Sequence, residues 1–174
     1  MNWLDLLVIV ILVGAVIVET MRGFGKAVFD ALIIYGVLWL AFVAAPPFAK
    51  AMPMSNNSSM AMAYAYGIVA TAGIGIGLVL SRFAYGSLLP HAGMFDHFLG
   101  LVLGVFVGMM FSHALVKTVH FSDQAGTDPS TGVVATGPVA SEMYDFHNYH
   151  SVVDQITGIE SYHREISLGN DDKK

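Results

Sequence analysis

Residues 98–116, FLGLVLGVFVGMMFSHALV, run for 19 positions without a charged side chain, behind a short polar lead-in of Phe95, Asp96 and His97. At about 1.5 Å of rise per residue, such a run is long enough to carry a helix across a hydrocarbon core. Gly100, Gly104, Gly108 and Ser112 recur every fourth residue, so on a helix they form one thin stripe. A glycine inside a helix costs roughly 1 kcal/mol against alanine. Three on one face therefore point to a close contact, and in lipid the close contact is usually another helix. The expectation is a membrane-spanning helix that packs through backbone approach.

The rest of the chain agrees with a membrane setting. Of 174 residues, 55% are hydrophobic and only 12% charged, and the mean hydropathy is +0.64, which is too apolar for an ordinary soluble domain. The formal net charge of −5 is unevenly placed. Residues 1–116 carry Arg22, Lys26, Lys50 and Arg82 against Asp5, Glu19, Asp30 and Asp96, while from Lys117 onward nine acids outnumber four bases. Without a basic face, nucleic-acid binding is excluded, and an acidic tail is poorly suited to anionic lipid. The absence of cysteine removes disulfides, thiolate metal sites and thiol nucleophiles.

Three further segments have the length and apolarity of spans. The first covers about 3–20. It is read as a retained helix, because no basic residue precedes it and residues 19–22, ETMR, offer no small-residue cleavage site. Asn2 is placed to cap it, Asp5 lies in its first turn, and Trp3 suits the headgroup region. A basic turn with Arg22, Gly23 and Lys26 leads to a second span over about 28–45, which Pro46 and Pro47 are expected to end. Residues 46–59 read as a loop. The third span, about 60–80, carries Gly73, Gly77 and Ser81 four apart, so the third and fourth spans are expected to pack on each other through their small residues. Residues 83–97 fit either an interfacial helix or a shallow re-entrant loop. The flanking bases put both termini on the non-cytoplasmic side.

Beyond the fourth span the composition changes. Residues 119–140 are rich in Gly, Ser, Thr and Pro and read as a flexible linker. Met143, Phe146, Tyr149, Val153, Ile156, Tyr162 and Ile166 then recur mostly at spacings of three and four, which predicts one amphipathic helix over 141–168 before a disordered end at 169–174. Such a helix is marginal alone in water. Its apolar face, Phe146, Tyr149, Val153 and Ile156, is therefore expected to dock on a partner. The fold class is all-α: a polytopic membrane protein with four transmembrane helices and an extramembrane tail.

Chemistry-bearing patterns are sparse. His147, His150 and Asp154 have the spacing of a one-face metal site, though solvated surface residues explain them as well. Met52, Met54, Met60 and Met62 form two Met-x-Met pairs that soft Cu(I) could use; apolar filler is the simpler reading. His113, near the exit of the fourth span, reads as a satisfied interfacial imidazole. The acids of the membrane part all fall near span ends, and mid-depth charge is avoided, which argues against an ion-coupled transporter working alone. No nucleophile–base pairing and no phosphate loop is present, so no enzyme activity, cofactor or metal is expected.

The N-terminal layout, Trp3 and Asp5 before an apolar span ending in Arg22-Gly23-Phe24, resembles the start of the colicin V production protein family. Asp96-His97-Phe98-Leu99-Gly100, followed by spaced glycines, resembles that family's fourth-span signature. There the residue after the aspartate is commonly arginine; this chain has His97. The similarity covers about residues 1–118 and leaves the tail outside. It implies a four-span protein of the bacterial inner membrane, linked in its relatives to colicin V export and envelope homeostasis. Two functions follow as expectations: an accessory subunit that packs against other membrane proteins, or a self-assembling export or channel-type factor.

Overall fold

The run that opens the fourth span becomes the middle of a helix that touches every other helix of the fold. In the computed structural model, which describes residues 1–85, 94–124 and 132–146, the elements are α1 (Trp3–Arg22), α2 (Phe24–Ala51), α3 (Ser58–Tyr85), α4 (Met94–Asp123), α5 (Val133–Thr136) and α6 (Pro138–Asp145). The described residues hold no strand. Helices α1 to α4 are each long and apolar enough to cross a membrane. The chain is an all-α, multi-pass membrane protein suited to a lipid bilayer.

The small-residue stripes explain the helix pairing, and they correct one expectation. A Cβ built on Gly104 would lie 2.8 Å from the Cα of Val16, and one on Gly108 would lie 3.0 Å from the Cα of Leu12. At Gly100 the nearest atom would be the Glu19 carbonyl oxygen, at 2.6 Å. The stripe of α4 therefore admits the backbone of α1. Gly73 and Gly77 of α3 instead meet side chains of α2, those of Val37 and Ile33. The two stripes do not pack α3 and α4 on each other; each serves a different partner. Helices α3 and α4 meet elsewhere, where Thr118 lies against Gly67 and the Tyr66 and Phe121 rings stand edge to face at 5.9 Å.

Pro46 and Pro47 do not end α2, which continues to Ala51. Proline keeps a helix-compatible φ but removes a donor, and the loss is tolerated in spanning helices whose neighbours compensate. Here Phe48 and Ala49, beyond the prolines, pack with Leu38 on a cluster of Ala41, Ala45, Ala65, Tyr66 and Ala70. Continuing the helix buries that apolar surface, at roughly 25 cal/mol per Å². Likewise α3 extends to Tyr85 and α4 begins at Met94, so both ends of the expected 83–97 connector are helix. The choice between interfacial helix and re-entrant loop falls on residues 86–93, outside the described residues.

The tail departs most from expectation. Residues 133–145, expected to be linker up to 140, form α5 and α6 and pack on the start of α1 and the end of α4. Val134, Ala140 and Met143 join Leu4, Val8 and Val116 in one core. Helix α6 starts at Pro138, not at 141, and stops at Asp145, where Phe146 turns left-handed at φ 52°. A helix running unbroken from 141 to 168 is thereby ruled out at its first stretch; residues 147–168 and the end at 169–174 lie outside the described residues.

Candidate functional site

Charged side chains in a membrane domain must be neutralised where they sit, since an unpaired charge in an apolar surround costs several kcal/mol. The structure does this at both ends of α1. At its C-terminal end, the Arg22 guanidinium donates to Glu19 Oε1 at 3.4 Å and to Asp30 Oδ2. The Ser81 hydroxyl donates to the other Asp30 oxygen at 2.5 Å. Asp30 and Ser81 are sealed from solvent and Glu19 nearly so. Arg22 thus serves two carboxylates, and Glu19 Oε2 is left buried with no hydrogen-bond partner among the described residues.

One turn of chain links this cluster to α4. Gly23 adopts φ +85°, a left-handed backbone, between α1 and α2, which only glycine takes without strain. The Asp96 carboxylate fills the space where a side chain on Gly23 would project. Its Oδ1 accepts the Phe24 N–H at 2.8 Å, so an acid from the first turn of α4 caps the start of α2. Next to it, His97 Nδ1–H donates to the Thr20 carbonyl at 2.8 Å. That carbonyl belongs to the last turn of α1, which lacks an internal partner. The imidazole therefore has a structural task that needs no permanent positive charge.

At the N-terminal end, Asn2 caps α1 as expected: its Oδ1 accepts the Leu4 and Asp5 N–H groups at 3.0 and 3.1 Å, and Asp5 Oδ2 returns the bond to the Asn2 N–H at 2.8 Å. Asp5 has a second task. Its Oδ1 accepts the N–H groups of Val139 and Ala140, at 3.0 and 2.9 Å, in the first turn of α6. The residue preceding that helix, Gly137, offers no side-chain cap. A carboxylate from α1 thus replaces the missing cap and meets the positive end of the α6 dipole. Asn2 Nδ2 completes the clasp by donating to the Val133 carbonyl at 2.6 Å. Gly137 is glycine because a Cβ there would stand 2.6 Å from Asp5 Oδ1.

Of the residues singled out from the sequence, the structure brings Arg22, Gly23 and Asp96 together and sets Trp3 and Asp5 at the other end of α1. Ser112 is fully buried, its hydroxyl without a partner among the described residues. Phe146 stacks on His113 at 5.2 Å, and His113 Nδ1–H donates to the Met143 carbonyl at 2.9 Å. Phe146 is therefore engaged inside the chain and does not present a free docking face. Tyr149, Val153 and Ile156, with His147, His150 and Asp154, lie outside the described residues. Among the described residues no three His, Asp or Glu side chains are grouped to hold a metal. The methionine pairs split: Met52 and Met54 are exposed, and Met60 Sδ accepts the Ser122 hydroxyl at 3.7 Å.

Neither Glu19 nor the α6 amides that Asp5 caps stand out in the sequence as site residues, and Ser81, read there only as part of the α3 stripe, serves Asp30 instead. Glu19 lies one helical turn before Arg22, a spacing that brings side chains together. Proline after glycine at 137–138 is a helix-start signal. Nothing in the sequence pairs Ser81 with Asp30.

No curated protein and no solved structure matches the chain. The model of the family described as Colicin V production protein matches residues 4–130, which takes in all four spans, the buried charges at both ends of α1 and the Asp96 cap, and the chain therefore belongs to the colicin V production protein family.

Proposed function

We propose that this chain is a non-enzymatic accessory subunit of the bacterial inner membrane, working through helix packing against partner membrane proteins. The observation that carries this reading is the half-used state of α1. One side of α1 is taken up by the stripe of α4, and it meets α2 only sparsely. On its outer side Leu6, Val10, Val13 and Ile17, spaced four, three and four apart, are each half exposed or more, which is one continuous helical face. Such a face is compatible with lipid, but it is also the shape a partner helix requires.

The use made of the acids favours a packing role over transport or catalysis. The acids Asp5, Asp30 and Asp96 are committed to amides, a guanidinium and a hydroxyl that hold elements together. The bases Arg22, Lys26 and Arg82 lie on the side of the α1–α2 turn, so the positive-inside rule places both termini outside the cytoplasm.

Purification of the full chain in mild detergent, followed by native mass measurement, tests the reading. A fixed set of other membrane polypeptides at constant ratio is expected, and charged substitutions at Val10 and Val13 should release them. A stable assembly of this chain alone that passes ions in liposomes would instead establish the self-assembling export or channel-type factor. Recovery of a lone monomer would exclude both.

A further inference from the structure

A groove of about 460 Å³ opens between α2 and α4, separate from the charged clusters at the ends of α1. Its walls include Trp39 and Phe42 of α2 and Phe106 of α4, and Tyr66 of α3 contributes to its lining. One end is different in kind: His113, Lys117 and Phe146 line it. Lys117 is the first charged residue after the uncharged run of α4. Its Nζ sits 4.5 Å from the centroid of the Phe42 ring, a favourable cation–π placement that steadies the ammonium at the groove's end. His113 cannot compete for a ligand through Nδ1, because that nitrogen already serves the Met143 carbonyl.

We propose that this groove is a site for one phospholipid with an anionic headgroup, its acyl chain along Trp39, Phe42 and Phe106 and its phosphate on Lys117. Length supports the assignment. From Phe106 to Lys117 is eleven residues of helix, about 16 Å, and one leaflet of a hydrocarbon core about 30 Å thick is about 15 Å deep. The groove thus spans the depth of one leaflet and has its cation where the headgroup lies. Charge complementarity supports it too, since an anionic headgroup lacks the ammonium that would oppose Lys117. The tail fixes the polar end: Phe146, stacked on His113, continues the apolar wall just where the core gives way to the interface. A second helix in the groove would have no use for the lysine.

The chain carries its own reporter, because its two tryptophans are Trp3 and Trp39 and only the second lines the groove. In a Trp3→Phe background, the protein is placed in phosphatidylcholine vesicles and Trp39 quenching is followed as brominated phosphatidylglycerol, or brominated phosphatidylcholine, replaces the host lipid. The expected result is about a fivefold preference for the phosphatidylglycerol, the worth of one lysine near a charged headgroup. Lys117→Ala should abolish the preference and Lys117→Arg should keep it. Lys50→Ala, a charge at the same membrane end but outside the groove, should change nothing. Quenching by the two lipids that only follows bulk composition in the parent overturns the proposal. So does a preference that survives Lys117→Ala, or a Trp39 shielded from both lipids by a protein occupant.

Discussion

Asp5 and Asp30 are both sealed from solvent, at opposite ends of α1, yet their charges are met in different ways. Asp30 faces another side chain's full charge, the guanidinium of Arg22, with the Ser81 hydroxyl on its second oxygen. Asp5 faces partial charges: backbone N–H groups of its own cap and of the first turn of α6. The first arrangement ties α1, α2 and α3 into one corner. The second fastens a tail that comes from far along the chain. A buried ion pair that loses one member leaves an uncompensated charge, whereas a helix start that loses its cap can turn to water if it peels away. The corner is therefore the more costly end to break.

The largest effect is expected there. Asp30→Ala should lower the stability of the four-span domain by about 3 kcal/mol, read as a lowered unfolding midpoint in detergent. Asp30→Asn, which keeps an acceptor for Ser81 and Arg22, should lose less. Equal losses in the two variants would mean that the charge carries the whole effect and the retained acceptor contributes little.

The two glycine stripes give a second contrast, of intermediate size. At Gly104 the obstacle to a side chain is the backbone of α1, which cannot move without shifting the whole helix. At Gly73 it is a methyl group of Val37. Gly104→Ala should cost about 2 kcal/mol by overpacking. In Gly73→Ala the gain of about 1 kcal/mol in helix propensity should nearly offset the displacement of that methyl. Gly104→Leu should go further, separating α1 from α4 while both remain inserted. Should Gly104→Leu melt and assemble like the parent, the stripe is not a contact face.

The smallest effect belongs to the clasp. Asp5→Ala should cost about 1 kcal/mol, the worth of one helix cap, and the loss should be local. Limited proteolysis of residues 132–146 should speed up about fivefold while the main unfolding transition stays in place. A shift of that main transition would show that α5 and α6 are integral to the membrane domain.

Much of this was open to reading because the bilayer imposes simple rules. Uncharged runs of sufficient length, Asn2 before α1 and glycines four apart depend only on local spacing. What each stripe packs against could not be read in the same way, since a stripe declares that something comes close without saying what. Pro46 and Pro47 misled for a related reason: a lost backbone bond is visible locally, but the packing of Phe48 and Ala49 on α3 that outweighs it is not. The tail misled because Gly and Pro read as linker when they also serve helix entry and close approach. His97 finds a carbonyl, that of Thr20, and not an acid as its partner.

The chain by itself determined that it would cross a membrane four times as helices, because hydrophobic length and the demand for internal backbone bonding leave little else. Tertiary structure alone decided which helices share a face, that Asp5 would cap a helix begun more than a hundred residues later, and that one arginine would serve two buried acids. Those outcomes rest on contacts between segments remote in sequence, where geometry and not spacing sets the energy.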